Sequence, residues 1–72
     1  MTRDELIRRL RRIAERRGVA FAVDREHGKG SHWVVRLGAI KQTVPQTSSG
    51  DLRKGTLHGI LQGFGLSLRD LE

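Results

Sequence analysis

The stretch "SHWVVRLGAIKQTVP", from Ser31 to Pro45, decides how this chain folds. Trp33, Val35 and Leu37 alternate with His32, Val34 and Arg36, the period of two expected of a strand with one buried face. The bulkier set belongs in the core. Gly38 and Ala39 make a short connection to "IKQTV", a third strand that Pro45 ends because proline removes a ladder donor. Ile40 and Val44 share a face, with Gln42 as an unexplained polar member between them.

Working outward, Val19, Phe21 and Val23 alternate with Ala20, Ala22 and Asp24 as a first strand, and "DREHGKG" supplies the turn into the second. Before it, "TRDELIRRLRRIAERRG" opens with Thr2 and Glu5 at capping-box spacing and sets Leu6, Ile7, Leu10, Ile13 and Ala14 on one side of a 3.6-residue period. This predicts a helix ending near Gly18. Its other side carries Arg8, Arg9, Arg11, Arg12, Arg16 and Arg17, with Asp4 to Arg8 and Glu5 to Arg9 at i,i+4 spacing. Such a stripe reads first as a solvated face, with a nucleic-acid contact as the alternative.

After the third strand, "QTSSGD" is a loop by composition. Leu57, Ile60, Leu61 and Phe64 then predict a second helix, with Thr56 as its N-cap and Gly65 as its C′ residue. Ser67 and Asp70 repeat the cap pattern at the end. The expected order is α-β-β-β-α, an α+β fold in which both helices pack on one face of a three-stranded antiparallel sheet. His32 and Arg36 then point to the open face or its edge, and Trp33 into the core.

With 72 residues, we expect one small domain over residues 1–72. Its 14 Lys and Arg against 8 Asp and Glu give a net charge of +6, which favours polyanionic partners. Cysteine is absent, so there is no disulfide framework, thiolate nucleophile or zinc-thiolate site. No apolar leader and no membrane-length apolar run is found, so we expect a soluble, cytoplasmic protein with no membrane contact.

His27, His32 and His58 are the side chains suited to proton transfer near neutral pH. His58 reads as a surface or packing histidine on the second helix, and His27 as a solvated turn residue. His32 differs because "GKGS" precedes it: two glycines allow a tight turn whose successive N–H groups can cradle an anion, and Lys29 adds a charge. The spacing matches neither a nucleotide-binding P-loop nor a recognised metal-ligand set, and a serine triad lacks support because Ser31 and His32, as neighbours on a strand, point to opposite faces. From spacing alone, His32 is open to both an ordinary strand role and a catalytic one.

The ordered set "GKGSH", "TVP" and "DLRKGTLHGILQGFGLSLRDLE" resembles the HicA toxins, small messenger-RNA interferases of bacterial toxin-antitoxin pairs. The resemblance covers nearly the whole chain and implies a double-stranded-RNA-binding-like fold. It implies that His32 is the catalytic residue, and that Lys54 and Gly55 fall on the family's "KGT" segment. Trp33 stands directly after the motif, where many members carry glycine or histidine.

The activity implied is endoribonuclease cleavage of messenger RNA, without a metal or other cofactor, held in check by a HicB-like antitoxin. In that mechanism Lys29 and the N–H groups of Gly30 and Ser31 stabilise charge on the phosphate, Lys54 assists from the helix entrance, and Arg36 holds a neighbouring phosphate. Trp33, by its phase, packs in the core rather than stacking on a base. Two alternatives stay open: a non-catalytic module binding double-stranded RNA, and a protein-interaction domain. Only Arg53 and Lys54 are available at the start of the second helix for the first of these.

Overall fold

The computed structural model describes residues 1–25, 32–45 and 50–72. Helix α1 spans Arg3–Arg17. Thr2 Oγ1 accepts the Glu5 N–H at 3.1 Å, which is one half of the expected capping box. The other half does not form, because the Glu5 carboxylate turns along the helix to Arg8 and to Arg9, the latter at 3.0 Å. Arg8 thus pairs with Glu5 rather than with Asp4. Gly18, at φ 66°, ends the helix in a left-handed turn that any side chain would strain, with Val19 N–H donating to the Ala14 carbonyl at 3.0 Å.

That last bond corrects one expectation. Val19 belongs to the helix terminus and not to the first strand, and it is 41% exposed. Strand β1 is Phe21–Asp24, β2 is Trp33–Leu37 and β3 is Ile40–Val44, antiparallel in the order β1-β2-β3. Gly38, at φ 63°, turns β2 into β3 so that Leu37 faces Ile40 and Trp33 faces Val44.

Helix α2 runs Lys54–Gly63. It starts a turn earlier than Thr56 suggested: the Leu57 N–H already bonds to the Arg53 carbonyl at 2.9 Å, so Thr56 lies inside the first turn and Arg53 is an N-cap without a side-chain bond. At its other end Leu66 N–H donates to the Leu61 carbonyl at 2.8 Å and Gly65 N–H to Gln62 at 2.9 Å, with Gly65 at φ 73°. This is a Schellman closure. A short 3-10 helix, Leu68–Leu71, follows, with Ser67 and Asp70 forming the full box that α1 lacks.

The buried side chains of α1 and α2 join those of one sheet face in a single cluster, whose most deeply buried members are Leu6, Leu10, Leu61, Val35 and Val44. Both helices therefore cover the same face. Gln42 lies on that face, half-buried, with its amide against Gly63, where a Cβ would overlap it. A glycine in α2 thus explains the polar residue in β3. Trp33 corrects a further expectation: it is half-buried at the margin of the cluster rather than within it. It is the first residue of β2, so the sheet gives it partners on one side only, and Arg3 covers it.

The N-terminus is fastened to the segment before α2, with the Met1 amino group 3.3 Å from the Asp51 carboxylate. Thr2 bridges Asp51, and the Leu52 N–H bonds to the Met1 carbonyl at 2.8 Å. Among the described residues no helix is long and apolar enough to cross a membrane.

Candidate functional site

Alternation along β2 sends Val34 and Arg36 to the face that the helices leave open, and His32 precedes that strand at the same parity. His32 is exposed. Because β2 is the central strand, His32 stands at the middle of one end of the sheet. Carrying the β2–β3 register one residue further sets it opposite Pro45, which has no N–H to offer.

The open face itself is a shallow depression of about 450 Å³ lined by Ala22, Asp24, Val34, Arg36, Lys41 and Thr43. Arg36 and Lys41 are direct partners in the register, so two cations sit side by side on neighbouring strands. Unit charges so placed attract a phosphate backbone and repel each other unless one is present. Lys41 and Thr43 were not among the residues singled out from sequence. Their signal was legible, since the two-residue turn at Gly38 and Ala39 fixes Lys41 opposite Arg36.

Of the residues expected at the site, Lys29, Gly30 and Ser31 lie outside the described residues. Arg36 and His32 share a parity four residues apart, about 13 Å at ~3.3 Å per residue, so they address different phosphates. Lys54 is exposed at the first position of α2 and so belongs to the helix layer, not to the Arg36 face. It nonetheless lies toward the His32 end. Thr2 bridges Asp51, three residues before Lys54, and the Arg3 guanidinium lies over the Trp33 ring, 3.4 Å from its centroid. These contacts bring the starts of α1, α2 and β2 together.

At the start of α2 neither a side-chain cap from Arg53 nor an acid in the first turn offsets the positive end of the dipole. Sequence reading also missed Arg3 and Arg25, which both stand against Trp33, the second at 4.9 Å. Burial lowers the pKa of Arg3; Asp4 opposes this, and the charge of Arg25 adds to it. Among the described residues no group of three or more His, Asp or Glu is placed to hold a metal ion. No protein-family model matches the chain, and no curated protein or solved structure matches it.

Proposed function

We propose that this chain is a metal-independent endoribonuclease of the HicA type, with a double-stranded-RNA-binding-like fold and His32 as its catalytic residue. The observation that carries this reading is the exposure of His32 at the head of the central strand, at one parity with Arg36 and beside a face that also presents Lys41. RNA brings its own nucleophile, the 2′-hydroxyl. Cleavage then needs a proton acceptor for that hydroxyl and cations for the phosphate.

Neutral His32 takes the 2′-hydroxyl proton, or protonated His32 gives one to the departing 5′-oxygen. A single histidine does not hold both states at once, so water completes the exchange and turnover is slow. Lys29 with the Gly30 and Ser31 N–H groups is assigned from sequence to the reacting phosphate, Lys54 to its flank and Arg36 to the next phosphate along. The messenger RNA of the cytoplasm is the substrate. A HicB-like antitoxin is the inhibitor, covering the cationic face by charge complementarity.

The test is incubation of wild-type and His32→Ala protein with a defined single-stranded RNA in EDTA, reading the fragment ends. Cleavage by wild type alone, leaving 2′,3′-cyclic phosphate or 3′-phosphate ends, is expected, with a rate loss of about 10²- to 10⁴-fold in the variant. Equal cleavage by the two proteins overturns the role of His32. Binding without cleavage by either overturns the catalytic reading and leaves an RNA-binding module.

A further inference from the structure

Trp33 is the one tryptophan of the chain, and it is neither a core residue nor an idle surface one. Its ring rests half-buried on the margin of the hydrophobic cluster, with the Arg3 guanidinium 3.4 Å and that of Arg25 4.9 Å from the ring centroid. A guanidinium at such distances is held by the ring's π face. Two guanidinium groups on one indole carry like charges and repel each other. A ligand with a flat ring and an adjoining negative charge relieves this repulsion, because the ring takes one cation's place on the indole and the negative charge pairs with that cation.

We propose that Trp33, Arg3 and Arg25 form a subsite for one unpaired nucleotide of single-stranded RNA. The base stacks on the indole in place of the Arg25 guanidinium, which turns onto that nucleotide's phosphate while Arg3 stays against the ring. Arg25 is the member that exchanges because it is exposed, stands farther from the ring and follows the last residue of β1. Arg3 is fixed by its place in the first turn of α1.

This inference rests on the reading of His32 as the residue that meets RNA. Residues 32 and 33 have Cα atoms about 3.8 Å apart and send their side chains to opposite sides of the strand. A strand of RNA that wraps the end of β2 meets both, the imidazole on one side of the strand and the indole on the other. A base in a duplex is already stacked on both faces, so the subsite selects unpaired RNA.

The chain has no tyrosine, so its emission on excitation of the indole belongs to Trp33 alone. The experiment titrates His32→Ala protein, which leaves the RNA intact, with a short unstructured RNA and with the same RNA in a duplex, following Trp33 fluorescence and the anisotropy of end-labelled RNA. Saturable quenching by the single strand, and little by the duplex, is expected. Trp33→Leu should weaken binding of the single strand about tenfold, and Trp33→Phe should restore most of it.

Single-stranded RNA that binds with no change in Trp33 emission overturns the proposal even where the Leu variant misfolds, and so does a duplex that quenches equally. Cleavage by wild type without quenching removes the subsite and leaves His32 in place. Quenching without cleavage by wild type keeps the subsite and removes the ribonuclease. RNA that fails to bind removes both.

Discussion

The two helices cover the same sheet face but are held in shape by different means. Helix α1, of 15 residues, has a Thr2 cap, acids in its first turn, arginines in its last, Glu5 paired with Arg9 four residues on, and Gly18 as its stop. Helix α2, of 10 residues, has no side-chain bond from its N-cap, no acid in its first turn and no base in its last, and it contains Gly55, Gly59 and Gly63. Each glycine in a helix interior costs about 1 kcal/mol relative to alanine, and isolated helices this short are marginal in water. Local sequence thus specifies α1, whereas burial of Leu57, Ile60 and Leu61 and the Schellman closure hold α2.

The largest effect expected from this contrast lies in the core. Leu10→Ala in α1 and Leu61→Ala in α2 remove side chains of 0% and 2% exposure, and each should cost about 2–5 kcal/mol in urea unfolding. Similar costs would leave the helices indistinguishable, so the discriminating measurement is hydrogen exchange in the unmutated protein. Amides of α2 should open at lower free energy than those of α1. Equal protection in the two helices would break the comparison.

A smaller effect separates the glycines of α2 from one another. A Cβ at Gly59 meets nothing within 4 Å, whereas one at Gly63 overlaps the Gln42 amide. Gly59→Ala should raise stability by about 0.5–1 kcal/mol, since it lowers the entropy of the unfolded chain at no steric cost. Gly63→Ala should give no such gain, because Gln42 must leave its half-buried position. In a Gln42→Ala background Gly63→Ala should become stabilising. A double-mutant cycle without coupling between 42 and 63 would detach β3 from α2.

The same contrast explains what could be read from sequence. In α1, period, cap and stop agree, and all five expected core positions are buried. In α2 the apolar spacing was legible but the start was not, because cap preference singles out Thr56 while the turn closes from Arg53. Val19 alternates correctly for a strand, yet its N–H is taken by the end of α1. At the site, His32 stood out through the glycines and lysine before it, and Lys41 follows from the hairpin register. The arginines on Trp33 did not, because Arg3, Arg25 and Trp33 come from three elements or their margins, and no local pattern joins them.

The smallest expected effect is acid sensitivity, and it too falls on one side of the comparison. Hydrogen bonds from Arg8 and then Arg9 hold the Glu5 carboxyl below its ordinary value, and the Ser67 N–H does the same for Asp70, with the charges of Arg17 and Arg16 adding to it. A depressed folded-state pKa contributes stability that is present above the unfolded value and is lost as pH falls through the folded one. The loss should therefore begin at about pH 5, as the pH enters the ordinary carboxylate range from above. Both groups are partly exposed, so salt should shrink the effect. Residues 54–63 contain no acid, so α2 has no such contribution of its own to lose. Urea midpoints measured from neutral pH downward should fall less steeply in a Glu5→Gln, Asp70→Asn double variant than in the parent. An unchanged acid slope would mean that these carboxylates, despite their partners, do not link α1 and the 3-10 helix to stability.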